Sequence, residues 1–242
     1  MKATPADAPP GWSRSADYQR WFERPLGRAY RRSIEAALRP WIPARAPRLA
    51  LDAGCGPILT FLDVFDRATR IVAVDCSFEM ARSAHARLAS EACAGAALCA
   101  SVERLPFPDE ARFEFVLSLN CLEFVSDPRA ALAELHRVAA PGATAVIGVL
   151  NRGGTWEWTR RMRGPLSPKA YYRGAFFTAE ELVQALAASG WRVEELRRAV
   201  CFPPLPLPNV EWFGWLERFV PDAAAGVILA RAVRATTSPR LA

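Results

Sequence analysis

Histidine is nearly absent, with two residues in 242, and no pair of the six cysteines has Cys-x-x-Cys spacing. Cysteines without paired His ligands do not build a zinc centre, so no metal is expected and the thiols read as reduced and mostly buried. The chain also lacks any block of five or more like charges, which a basic nucleic-acid arm needs. The net charge of +6, almost entirely Arg, therefore reads as solvated helix faces, and a nucleic-acid partner is not expected. No apolar run is long enough to cross a bilayer and no charged-then-apolar leader opens the chain, so the expected location is cytoplasmic. A Ser/His/Asp or Cys/His set for nucleophilic catalysis is missing as well. His85 and His136 fall within expected helices and carry no catalytic assignment.

Hydrophobic residues, by contrast, make up 51% of the sequence, enough for a substantial core. Residues 1–14 read as a flexible tail and 15–242 as one domain. Helical spacing of Tyr18, Trp21, Phe22, Leu26, Tyr30, Ile34 and Leu38 predicts an N-terminal helical cap over 15–45, broken at Pro25-Leu26-Gly27. Strands are expected at 49–53, 71–75, 96–100, 113–119, 144–150, 191–200 and 224–233. Helices are expected at 58–66, 78–90, 128–139 and 178–189. Asp127 caps the third of these, with Pro128 at its first position, and Thr178 begins a capping-box sequence. This alternation predicts an α/β fold, a doubly wound sheet of seven mostly parallel strands. Two stretches without clean period, 152–177 and 201–221, read as insertions on the substrate side of a core at 46–151.

The most informative stretch is Leu49-Ala50-Leu51-Asp52-Ala53-Gly54-Cys55-Gly56-Pro57, followed by Ile71-Val72-Ala73-Val74-Asp75. A strand, a glycine turn, a helix and a second strand ending in an acid form an adenosine grip. The glycines admit the ligand close to the backbone, and the second acid holds ribose hydroxyls.

With the segments that follow, this pattern resembles the class I S-adenosylmethionine (SAM) dependent methyltransferases of the small-molecule type. The likeness runs through Leu51 to Gly56, Val72 to Met80, Val102 to Asp109, Phe113 to Pro128, and Glu134 to Gly142, in that order. It implies a Rossmann-like fold, SAM as cofactor and a small-molecule acceptor. By the same resemblance Gly54 and Gly56 would lie under the methionine part, with Asp52 just before them. Asp75 would take the ribose hydroxyls, Ser101 and Val102 would flank the adenine, and Asn120 would face the methionine end. Cys55, packing within the turn, and Cys76 complete the implied cofactor set. Tyr18 and Trp21 stand where related enzymes bring a helix over the cofactor.

The sequence departs from that pattern in three places. Pro57-Ile58-Leu59 follows the glycines where another small residue is usual. Ser101 replaces an acid, and Glu123-Phe124 stand where His is frequent. Glu123 is the one candidate for a catalytic base.

Three alternatives stand beside this reading. A nicotinamide-dependent oxidoreductase wants a third glycine where Leu59 stands. A non-catalytic SAM-fold scaffold would tolerate the departures. A nucleic-acid methyltransferase wants an Asn/Asp-Pro-Pro-aromatic loop, but Asn120-Cys121-Leu122-Glu123 occupies that place. The mix of Arg152, Arg160, Arg161, Arg163, Lys169 and Arg173 with Trp156, Trp158, Tyr171 and Tyr172 fits a solvated loop, an anionic small molecule or stacked bases. Trp212, Phe213 and Trp215 suit packing over the sheet, an apolar acceptor or peripheral membrane contact.

Overall fold

The computed structural model describes residues 15–57, 68–109, 112–163, 174–204 and 224–235. The expected helix at 58–66, the tail at 1–14, and Lys169, Tyr171, Tyr172, Arg173, Trp212, Phe213 and Trp215 lie outside them.

Seven strands form one sheet: β1 (Leu49–Ala53), β2 (Arg70–Asp75), β3 (Gly95–Cys99), β4 (Phe113–Leu119), β5 (Ala139–Leu150), β6 (Trp191–Ala199) and β7 (Val227–Arg234). Their order is β3-β2-β1-β4-β5-β7-β6. The first five strands are parallel, and β7 runs antiparallel between β5 and β6. The order reverses between β1 and β4, the switch point outside whose carboxyl ends open α/β sheets bind ligands.

The helices are α1 (Ser15–Glu23), α2 (Pro25–Leu38), α3 (Phe78–Ser90), α4 (Pro128–Val138), α5 (Thr155–Arg163) and α6 (Ala179–Ala188). Pro25 opens α2 at its first turn, where its missing N–H costs nothing. A Cβ at Gly27 would stand 2.1 Å from the Trp21 carbonyl oxygen, so only glycine lets α2 start this close to α1. Tyr30, Ile34 and Leu38 recur every four residues along α2, and all three are buried.

Alternation along the strands feeds two cores. In β4, Val116 joins Leu51, Leu132, Leu135 and Leu186 on one face. Its neighbours Phe115 and Leu117 join Tyr30, Ile34, Trp41 and Val146 on the other. Asp127 accepts hydrogen bonds from the Arg129 and Ala130 N–H groups at the start of α4, and Thr178 with Glu181 closes a reciprocal capping box on α6.

Two elements differ from expectation. β5 begins at Ala139 rather than 144, carrying Pro141 and Gly142 inside the strand. A register shift against β4 between Phe113 and Phe115 absorbs them. The segment after Asn151, aperiodic as sequence, contains the nine-residue helix α5.

Candidate functional site

The carboxyl ends of β1, β2 and β4 converge with α1 on one small region. Its floor is the turn after β1, where Gly54 and Gly56 have φ of +76° and +62°, a conformation L side chains rarely adopt. A Cβ at Gly54 would come 2.4 Å from Cys121 Sγ, so Cys121 seals the turn from the β4 side. At Gly56 the first neighbour is Tyr18, whose ring edge would be 3.8 Å from a Cβ. Tyr18 therefore packs directly over the Gly56 backbone.

Asp75, at the end of β2, ties this turn to the next helix. Its Oδ2 accepts the Gly56 N–H at 3.0 Å and its Oδ1 the Ser77 N–H at 2.8 Å. Burial pushes its pKa up, and the two N–H groups pull it back down. Asp52 is buried in β1, and burial together with the neighbouring Asp75 pushes its pKa up to about 7. Glu123, in the single 3-10 turn Leu122–Phe124 after β4, is 3% exposed. Its Oε1 accepts the Leu150 N–H, and burial pushes its pKa up to about 8. Among the described residues none of the three carboxylates has a cationic partner, and no His/Cys/Asp/Glu group could hold a metal ion.

The remaining residues of the implied set are arranged around these acids. Asn120 takes the left-handed φ of +51° and donates through Nδ2 to the Tyr30 hydroxyl, while its buried Oδ1 has no partner among the described residues. Tyr18 is half-buried, and burial, Asp75 and Glu123 together raise its phenol pKa. Trp21 packs edge-on against Tyr30 at 5.5 Å and Trp156 at 6.3 Å, making an aromatic wall. Cys55 is buried within the turn and Cys76 half-buried beside Asp75, and burial raises both thiols, so neither is a ready nucleophile.

The adenine side departs from expectation in an instructive way. Ser101 stands where an acid is usual, but its Oγ accepts the Glu103 N–H at 3.2 Å and lies 3.4 Å from Glu103 Oε2. A carboxylate therefore stands beside position 101, supplied from two residues on and held by the Asp127 N–H at 2.6 Å. Val102 is buried next to it.

Cys121, Tyr30 and Glu103 are site neighbours that sequence reasoning did not single out. Of these only Glu103 carried a signal, its place two residues after Ser101. Two residues of the basic mix after Asn151 serve the fold: Arg152 donates to the Phe176 carbonyl and pairs with Glu181, and Arg161 pairs with Glu157. His85 is exposed on α3, and His136 packs edge-on against Trp191 at 5.3 Å.

A sheet of this order, with a glycine turn after β1 and an acid ending β2, defines the class I methyltransferase fold. Residues 51–147 match the family model described as a methyltransferase domain, and solved SAM-dependent methyltransferases share the fold. It is 34% identical over 192 residues to an uncharacterized protein of Mycobacterium tuberculosis, covering 78% of this chain and 62% of that one. The chain thus spans less than two thirds of that relative's length. It is 30% identical over 148 residues to the malonyl-[acyl-carrier protein] O-methyltransferase of Pseudescherichia vulneris, covering 61% of this chain and 55% of that protein. Among solved structures it resembles a SAM-dependent methyltransferase of Thermotoga maritima, a possible histamine N-methyltransferase. That match has a TM-score of 0.69 and 22% identity, over 90% of this chain and 95% of that one. A second is geranyl diphosphate C-methyltransferase of Streptomyces coelicolor, with a TM-score of 0.60 and 17% identity over 83% and 79% of the two chains. No described helix is long and apolar enough to cross a membrane.

Proposed function

We propose that this chain transfers the methyl group of SAM to a small or lipophilic metabolite by in-line displacement. One observation carries the reading. Asp52, Asp75 and Glu123 are carboxylates gathered with little solvent around a glycine turn, without a cationic partner among the described residues. Burial keeps protons on Asp52 and Glu123, and an organic cation would draw those protons off and pair with the carboxylates. SAM brings a sulfonium and an ammonium, and two ribose hydroxyls that suit Asp75. By the family resemblance, Gly54 and Gly56 would lie under its methionine part and Ser101 and Val102 beside its adenine.

SAM supplies an already activated methyl group, so the protein's part is orientation. Holding nucleophile and methyl in line accounts for roughly 7–11 kcal/mol of a barrier. Tyr18 and Trp21, brought over the turn by α1, limit the approach of water and line the acceptor side. Support for such an acceptor comes from the relatives' names, which include malonyl-[acyl-carrier protein] and geranyl diphosphate. Equilibrium titration with SAM and with its demethylated product tests the reading. Micromolar binding of both is expected. A wild-type protein that binds neither contradicts it, and binding without turnover on any acceptor favours a scaffold instead.

A further inference from the structure

Three buried side-chain oxygens at the carboxyl end of β4 set the problem: Ser118 Oγ, Asn120 Oδ1 and Glu123 Oε2 have no hydrogen-bond partner among the described residues. Ser118 still lies within the strand. Asn120 and Glu123 lie beyond it, with these oxygens buried. Each is pinned at its other polar atom, Asn120 Nδ2 on the Tyr30 hydroxyl and Glu123 Oε1 on the Leu150 N–H. The free oxygens are therefore held in place, and an unmet buried acceptor costs about 1–3 kcal/mol. A glutamine at position 123 would accept the same Leu150 N–H without the cost of a buried acid. The carboxylate must answer to something other than the fold.

Its surroundings say what. Cys121, two residues before Glu123, seals the Gly54 turn. The backbone N–H of Ala175 holds the Glu123 carbonyl at 2.9 Å, so the strap before α6 closes over it. Glu123 thus stands behind the Gly54 turn, on its β4 side.

We propose that Glu123 is the proton acceptor of the reaction and that the acceptor molecule presents an N–H or O–H nucleophile to its Oε2. This deepens the methyltransferase reading and rests on it. In the step, the nucleophile's lone pair forms the new bond to the methyl carbon. The S–C bond breaks with its electron pair returning to sulfur, which becomes a neutral thioether. The nucleophile's proton passes to Glu123 Oε2, and the carboxylate ends as a carboxylic acid. Asn120 Oδ1 accepts a second hydrogen bond from the methionine end or the acceptor.

Sinefungin tests this without knowledge of the acceptor. It carries an ammonium where SAM carries the sulfonium and its methyl, whereas S-adenosylhomocysteine (SAH) carries a neutral sulfur. A carboxylate facing the methyl ion-pairs with that ammonium. The wild type is expected to bind sinefungin about tenfold or more tighter than SAH at pH 8, a difference of about 1.4 kcal/mol per decade. Glu123→Gln should bind SAH as the wild type does and lose the preference to within about threefold. A second arm needs no variant. As pH rises from 6 to 8.5 the wild-type preference should grow, since Glu123 must ionise to pair. The titratable groups facing it are Tyr18 from α1 and Cys121 from its own loop, both shifted upward and so neutral over this range. Asp75 and Asp52 lie beyond them on β2 and β1.

An equal sinefungin preference in wild type and Glu123→Gln overturns the proposal while leaving the cofactor reading intact. Should the variant not fold, a preference that does not change with pH overturns it in the same way. Failure of the wild type to bind either compound overturns the cofactor reading and the proposal together.

Discussion

Asp75, half-buried, and Glu123, buried, are carboxylates at the carboxyl edge of one sheet, and they are satisfied in different ways. Asp75 accepts two backbone N–H groups, one through each oxygen, both from residues within its own βαβ unit. Glu123 uses one oxygen on the Leu150 N–H of another strand and leaves the second without a partner among the described residues. The difference extends to their surroundings. The half of the site around Asp75 is made of glycines, turn backbone and strand ends. The half around Glu123 is bounded by the Leu150 and Ala175 backbone, and nearby Asn120 reaches Tyr30 of α2, which packs on Trp21 and on Trp156 of α5. The first is suited to a ligand that every member of the fold class shares, and the second to one that differs among members.

Damage to the two halves should therefore read out differently. Trp156 packs against Tyr30 at 5.2 Å and donates through Nε1 to the Phe202 carbonyl at 2.8 Å. Trp156→Ala should cost about 3–5 kcal/mol of stability in denaturant unfolding, while SAH affinity in the folded fraction stays within a few-fold. Gly54→Ala should do the reverse in emphasis. Strained φ and the Cys121 contact cost about 1–3 kcal/mol, but SAH affinity should fall a hundredfold or more by calorimetry. Equal losses of stability and affinity in both variants would erase the distinction.

Acidity sharpens the comparison. Glu123, at about 8, and Asp52, at about 7, hold protons in the folded chain at a pH where the unfolded chain has lost them. The folded state then binds more protons, so stability falls as pH rises from about 5 to about 8. The expected loss is on the order of 1–4 kcal/mol in urea midpoints converted to free energy. Glu123→Gln should flatten that slope and be the more stable protein at pH 8. A slope unchanged by the substitution would show that Glu123 does not titrate there. The smallest effect is expected at Ser101→Ala. Because the Ser101 hydroxyl is turned to the Glu103 loop, SAH affinity should change less than about threefold, near the value of one neutral hydrogen bond.

The same division governs what could be read in the sequence. Strands β1 to β4 and the turn residues Gly54, Gly56 and Asp75 follow from local patterns: apolar runs, glycines at left-handed positions and an acid at a strand end. The α5 segment inverts its pattern. Trp156 and the acid Glu157 are buried, while Trp158 and Met162 are 66% and 61% exposed, so no helical apolar stripe marks it. β5 hides its start behind Pro141-Gly142, which reads as a turn and is taken up by a bulge instead. Tyr30 looked like a core position, and it is one, buried to 3% exposure. Only the fold brings its hydroxyl to Asn120. Glu103 lies two residues past Ser101, and the loop turns its carboxylate back beside that position.

The account stands most directly on the grip of Asp75 at the switch point between β1 and β4. Calorimetric titration of SAH into the wild type and into Asp75→Ala, in one buffer at neutral pH, measures it. Micromolar binding by the wild type, weakened at least about thirtyfold in the variant, is the expected result, since roughly 2 kcal/mol rides on a charge-assisted contact. Undiminished binding by Asp75→Ala, or no binding by the wild type, would contradict it.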